Sequence, residues 1–226
     1  MPNYGENVSQ RTPCLLVLDA SASMGAVEAG RTRISLLNDG IAAFDADLKA
    51  DEIAMARVQI GAINVGGFSS EPQMFLDWTD AMDFQPFPMV TGYNTPLGAA
   101  TLLGLEVIEA QKSVLKSHGI SYNRPWMLIL TDGAPTDDDA TWREACRRAR
   151  EAETRGRVLI FPVCVGDVDL NKIAELTITP PKKMNGLQFR ELFLWLSESV
   201  REASKSAPGS TVQFAPTDRW AGTTLS

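Results

Sequence analysis

The amino-acid sequence predicts an α/β fold: a doubly wound, mostly parallel six-stranded sheet with one antiparallel edge strand and helices on both faces. Three observations carry this. Residues 15–18 and 125–131 are continuous apolar runs, the pattern of strands buried on both faces. Segments with helical periodicity alternate with the strand-like ones, which calls for crossover connections and parallel pairing. Only once do two strand-like runs, 57–65 and 74–78, meet across a brief Gly/Ser/Glu/Pro turn. That pair is expected to be an antiparallel hairpin.

Each element follows in order. Residues 1–12 read as a flexible arm, and 13–18 as the first strand. Gly25 then lets the backbone turn into a helix whose stripe is Ile34, Leu37, Ile41, Phe44 and Leu48, with Arg33, Asn38, Asp45 and Lys49 opposite. After the hairpin, residues 80–94 are irregular. Thr95-Pro96 opens a helix to about Ser117, with Pro at its first position and Thr as its cap. Ala99, Leu102, Leu103, Val107 and Val114 are expected on its buried side. The strand 125–131 leads to Asp132-Gly133, and a charged helix starts near residues 136–139. Residues 158–165 form a further buried strand, in which Pro162 requires a bulge or a locally unpaired side. A short helix near 170–176 precedes the last one, with Phe189, Leu192, Phe193, Leu196 and Val200 on one face. The expected organisation is one domain, 13–203, with a tail over 204–226 packed on it or trailing from it.

The 226 residues suffice for a large core, and a net charge of -7 argues against nucleic acid and anionic membranes as partners. Three cysteines, Cys14, Cys146 and Cys164, show no C-x-x-C spacing. Cys14 and Cys164 lie in apolar runs and read as small buried hydrophobes of a reducing compartment. Residues 1–12 lack the apolar core of a signal peptide, and no stretch is apolar enough to span a bilayer. A cytoplasmic location is the expectation.

Chemistry concentrates where two strands end in carboxylates. Asp19 is followed by Ser21 and Ser23, and the strand 125–131 ends at Asp132. With strand order 3-2-1-4-5-6 those two strands are neighbours, and ligands bind at their carboxyl ends, where the order reverses. Oxygen-bearing side chains suit a hard divalent cation. Ser21 or Ser23 as a helix cap is the structural alternative. Two carboxylates roughly neutralise a divalent ion, and neutral hydroxyls leave it open to an incoming anion. A hydrolytic two-metal site would need more acids. No nucleophile elbow and no phosphate-binding Gly-rich motif is present. His118, the single histidine, reads as a residue at a helix end. Asp137-Asp138-Asp139 read as acids at a helix N-terminus, with extension of the metal site as the alternative. Phe84, Phe87, Pro88 and Met89 suit either an apolar rim for a partner or buried packing.

Asp19-Ala-Ser21-Ala-Ser23, Thr95 before a helix, and Thr131-Asp132-Gly133 resemble the three loops of a metal-ion-dependent adhesion site of the von Willebrand factor type A family. Gly-Ile-Ser121-Tyr-Asn-Arg-Pro-Trp126, Thr131-Asp-Gly-Ala-Pro-Thr136-Asp and Gly186-Leu-Gln-Phe-Arg-Glu-Leu192 are similar to a small stand-alone bacterial branch, akin to the A-domain protein of tellurite-resistance clusters. The resemblance implies a Rossmann-like fold and a metal set of Asp19, Ser21, Ser23, Thr95 and Asp132. Ser21 and Ser23 would ligate directly, Asp19 and Asp132 largely through water or by orienting the serines, and Thr95 according to the state of the site. The implied ion is Mg²⁺, with Mn²⁺ or Ca²⁺ as alternatives. The implied partner is another protein that contributes a carboxylate, in kinase- or phosphatase-linked stress signalling. A Mg²⁺- or Mn²⁺-dependent phosphoesterase in the same crevice is the alternative function. Ala22 departs from the usual small Gly or Ser, and a zinc extension found in some relatives has no ligands here.

Overall fold

The computed structural model describes residue 4, residues 8–207 and residues 214–222. Six strands form one sheet: β1 (Thr12–Asp19), β4 (Val58–Val65), β5 (Gln73–Asp80), β6 (Trp126–Thr131), β7 (Leu159–Cys164) and β8 (Lys182–Lys183). Their order is β5-β4-β1-β6-β7-β8, with β5 antiparallel and every other pairing parallel. The doubly wound order read from the sequence is therefore the observed one, and it reverses between β1 and β6.

The apolar runs explain the layering. Along β1, Cys14, Leu16 and Leu18 enter one core while Leu15 and Val17 enter the other. The same alternation sends Trp126, Leu128 and Leu130 to one side and Met127 and Ile129 to the other. A strand with no polar face can be stable only between two helical layers. One layer holds α1 (Arg33–Lys49), α2 (Glu52–Arg57) and α6 (Phe189–Lys205). The other holds α3 (Leu97–Ser117), α4 (Asp139–Thr154) and α5 (Leu170–Ala174). Each fully buried Leu, Ile or Phe contributes about 1.5–3 kcal/mol relative to exposure.

Three expectations need correction or completion. The buried face of α3 comprises Leu97, Thr101, Gly104, Ile108, Gln111 and Leu115, with Ala99, Leu102, Leu103 and Val107 half-buried and Val114 38% exposed. The apolar residues were the wrong guide here because small and polar ones face the sheet. A Cβ on Gly104 would lie 2.8 Å from Met127 Cε and 3.2 Å from Leu15 Cδ2, so the glycine lets the helix pack closely against those two side chains. Thr101 and Gln111 are buried because both are hydrogen-bonded, Thr101 to Leu97 O at 2.8 Å and Gln111 to Gln59 at 2.7 Å.

Pro162 causes no bulge, since β6 and β7 stay in register from Trp126↔Leu159 to Thr131↔Cys164. Leu159 and Val165 donate to the β6 side, and Cys164 accepts from Met184 on the β8 side. Pro162, in phase with Cys164, turns its missing donor toward β8, which pairs only with Val163 and Cys164. The unpaired side is the observed solution.

Between β1 and α1 lies a small hairpin absent from the sequence reading, β2 (Val27–Glu28) with β3 (Arg31–Thr32). Ala29 and Gly30, at φ 50° and 82°, form its turn, the arrangement a two-residue hairpin favours.

Among the described residues, no helix is long and apolar enough to cross a membrane.

Candidate metal centre

Asp19 is the last residue of β1 and is fully buried. Its Oδ1 accepts from the Ser21 amide at 2.8 Å and its Oδ2 from the Thr131 hydroxyl at 2.6 Å. Ser21 precedes a short 3-10 turn, Ala22–Gly25, but makes no side-chain cap. The capping alternative therefore fails, and the serine hydroxyls are committed elsewhere. Ser21 Oγ lies 3.0 Å from Ser23 Oγ, and Ser23 donates to Asp132 Oδ1 at 2.6 Å. One continuous chain of oxygens thus links the end of β1 to the end of β6.

Thr95 reaches this crevice from the third loop. Residues 90–94 lie against the ends of β1 and β4, with Gly92 donating to Ala20 O at 3.0 Å and Ala22 to Tyr93 O at 3.1 Å. Thr95 is tied to Thr136 by two bonds, Thr136 N to Thr95 O at 2.9 Å and Thr95 N to Thr136 Oγ1 at 3.1 Å. The sequence assigned Thr95 as the cap of α3, but Pro96 takes that position without a side-chain bond. Asp137 caps the helix instead, accepting from Gly98 at 2.8 Å and Ala99 at 2.9 Å. A carboxylate on a neighbouring loop satisfies those donors better than a local hydroxyl and also answers the helix dipole. Thr95 is 96% buried as a residue, and its Oγ1 lies beside Gly133 instead of at the start of α3.

The position of Gly133 defines the cradle. A methyl group placed there would sit 3.2 Å from Thr95 Oγ1 and 3.8 Å from Ser23 Oγ. Glycine keeps open the space onto which the second and third loops converge. The structure thus brings Asp19, Ser21, Ser23, Thr95 and Asp132 to one end of the sheet. Two carboxylates and three hydroxyls around a space kept open by Gly133 form an all-oxygen donor set, which fits a hard divalent cation. Among the described residues no group of three or more His, Cys, Asp or Glu gathers, so any ion here depends on hydroxyls as well as acids.

The remaining acids have structural work. Asp138 caps α4 through Ala140 and Thr141, both at 2.8 Å, and Asp139 pairs with Arg143. His118 lies at the far end of α3, about 30 Å of helix away from Thr95, where its Nδ1 is 2.9 Å from Val114 O.

Sequence reasoning missed Arg33. It was read as part of the polar face of α1, yet its Nη1 lies 2.8 Å from Asp132 Oδ2, and Asp132 has no exposed side-chain surface. Its Nε and Nη2 hold Glu28 of the small hairpin at 2.8 and 2.6 Å. The hairpin delivers Arg33 sideways as the first residue of α1, an orientation that helical periodicity does not encode. Its guanidinium cancels one of the two carboxylate charges counted from the sequence. Asp19 itself is held above its ordinary 3.8, chiefly by burial, with nearby Asp132 adding to the effect against the lowering hydrogen bonds from Ser21 and Thr131.

Of the two readings of residues 84–89, buried packing is the one observed. Phe84 and Met89 are buried and Phe87 packs against the core. The exposed apolar residues of the carboxyl-edge loops are instead Val27, Phe68, Val90 and Tyr93, exposed by 50–67%.

No protein-family model and no curated protein matches the sequence. Solved structures match in three dimensions. The VWA domain of SpRpn10 superposes with a TM-score of 0.53 at 15% identity, over 76% of this chain and 86% of that one. The pilus adhesin SpaC from Lactobacillus rhamnosus GG gives 0.68 at 15% identity, over 85% of this chain and 31% of that one. Proximal thread matrix protein 1 from the mussel byssus gives 0.56 at 12% identity, over 85% of this chain and 48% of that one. The chain thus spans less than half the length of the thread protein and less than a third of the adhesin. Fold and topology together define a VWA-like α/β domain.

Proposed function

We propose that this chain is a cation-dependent protein-binding module, in which Asp19, Ser21, Ser23, Thr95 and Asp132 hold one divalent ion, Mg²⁺ first and Mn²⁺ or Ca²⁺ as alternatives. The ion supplies an electrophilic point for an acidic side chain of a partner protein. The observation that carries this is the convergence of the Thr95 hydroxyl and the Ser23–Asp132 pair on the space beside Gly133. Ser21, Ser23 and Thr95 offer neutral ligands, and Asp19 holds the first loop by accepting from the Ser21 amide. Arg33 fixes the outer oxygen of Asp132 and withdraws its charge, so a divalent ion keeps a demand for one more anionic oxygen. The exposed Phe68, Val90 and Tyr93 beside the crevice suit a partner surface whose acidic anchor is ringed by apolar contact.

The finer form of the proposal places the chain in the small bacterial branch akin to the A-domain protein of tellurite-resistance clusters. There it would act in the cytoplasm, in kinase- or phosphatase-linked stress signalling. That form rests on the motifs quoted above.

Selection from a random peptide library in Mg²⁺ tests the reading. Enriched peptides are expected to carry Asp or Glu, to elute with chelator and to fail on Ser21→Ala while the melting temperature of that variant stays high. Binders that lack acids or ignore chelation would overturn it. Hydrolysis of a phosphodiester in Mn²⁺ that disappears in Asp19→Ala would instead establish the phosphoesterase alternative.

A further inference from the structure

A second site lies away from the crevice, along the part of β7 that β8 leaves uncovered. A cavity of about 260 Å³ opens between β7, α6 and the tail segment 214–222. Its walls are Phe161, Trp195, Phe214 and Trp220, with Pro162 and Pro180 beside them. Phe161 and Phe214 meet edge to face at 4.9 Å, and Trp195 and Trp220 lie 5.1 Å apart. The tail wall is fixed: Trp195 Nε1 donates to Ala215 O at 2.6 Å, Asn185 N to Trp220 O at 2.7 Å and Gly222 N to Lys183 O at 2.9 Å.

Its polar side chains among the described residues are Lys182, Thr179, Thr217 and the two indoles. Lys182 is the only charged residue of the lining and makes no ion pair among the described residues. Of the two indoles, Trp195 is satisfied, whereas Trp220, 1% exposed, leaves Nε1–H buried without a partner among the described residues. Trp220 contributes its ring to the wall, its Nε1–H having no accessible surface. Among the described residues the lining contains no carboxylate, so a cationic guest would meet Lys182 with nothing there to offset it, despite the aromatic walls. An added β-strand is disfavoured as well, because Pro162 offers that edge no N–H.

We propose that this cavity binds a small carboxylic acid with an apolar body, its ring or branched chain among the aromatic walls and its carboxylate toward Lys182. The volume falls just under the range of sites for drug-sized ligands, so the guest is about the size of one large side chain.

Calorimetry on the full chain with three matched probes tests this: 3-phenylpropionate, its uncharged amide, and 3-phenylpropylamine. The acid is expected to saturate, the amide to bind about tenfold more weakly, and the amine not to bind. Lys182→Met should abolish the preference for acid over amide while leaving the amide affinity and the melting temperature unchanged. No saturable binding of the acid, equal binding of all three probes, or an acid preference that survives Lys182→Met would each overturn the assignment.

Discussion

The sheet buries a carboxylate at each end, and the two are treated differently. At the amino end Asp80 is met by Gln59 at 2.9 Å and by Arg11 at 3.3 Å, both fully buried. Gln59 in turn accepts from Gln111 at 2.7 Å, and Gln111 also donates to the Tyr4 hydroxyl at 2.8 Å, so the carboxylate has its own buried cation within a wider hydrogen-bonded network. At the carboxyl end Asp19 has hydrogen bonds but no cation of its own among the described residues, and Asp132 shares Arg33 with Glu28. A carboxylate with its own buried cation fixes a register, whereas one without keeps capacity for a cation the chain does not supply. The difference supports the proposed binding role at the carboxyl end without reference to any relative.

Truncation should separate them most sharply. Asp80→Ala leaves the Arg11 guanidinium buried and uncompensated, and urea unfolding should show a loss of about 3–5 kcal/mol. Mg²⁺ affinity at the other end should be unchanged; a loss below 1 kcal/mol would mean that water compensates Arg11.

Asp19→Asn is the counterpart. It removes a charge whose burial opposes folding, so stability in chelator should stay within about 1 kcal/mol of wild type, while calorimetry should find Mg²⁺ binding abolished. The same residue sets a pH dependence. Because its carboxyl titrates above 3.8, the folded metal-free chain keeps that proton to higher pH than the unfolded chain. Ionisation therefore costs stability as pH rises from 3.8 through the raised value, and a bound cation removes the cost. The stabilisation by Mg²⁺ should shrink on acidification through that window in wild type and be absent at every pH in Asp19→Asn.

Gly133→Ala tests the cradle alone. The added methyl group contacts Thr95 Oγ1 without touching a charge, so Mg²⁺ affinity should fall by about tenfold, with circular dichroism unchanged. Undiminished affinity would remove Thr95 and Gly133 from the site.

The smallest effect compares the rigidity of the two ends. Cys14 lies near the amino end of β1 and Cys164 at the carboxyl end of β7, and burial pushes both thiols up to about 12. At pH 8 only about one part in ten thousand is thiolate. Native alkylation followed by mass spectrometry should leave both unlabelled, with Cys146, half-buried, reacting first. Labelling of Cys164 ahead of Cys14 would show that the carboxyl end opens more readily.

Much of this was legible in the sequence because it is local. Leu15–Leu18 and the run ending at Thr131 have no polar face, which forces a sheet covered on both sides, and such a sheet places Asp19 and Asp132 side by side. The last helix was equally plain, since Phe189, Leu192, Phe193, Leu196 and Val200 are all buried. What tertiary structure alone decided involves partners distant along the chain. Arg33 meets Asp132 across 99 positions and Gln10 meets Asn123 across 113. Asp137 displaces Thr95 as the cap of α3 from 39 positions beyond Gly98. The face of α3 turned toward Thr101, Gly104 and Gln111 because Met127 and Gln59 stood opposite them. Periodicity records which residues share a face of one element; which face meets which neighbour is set by strand order and register, and no local pattern contains those.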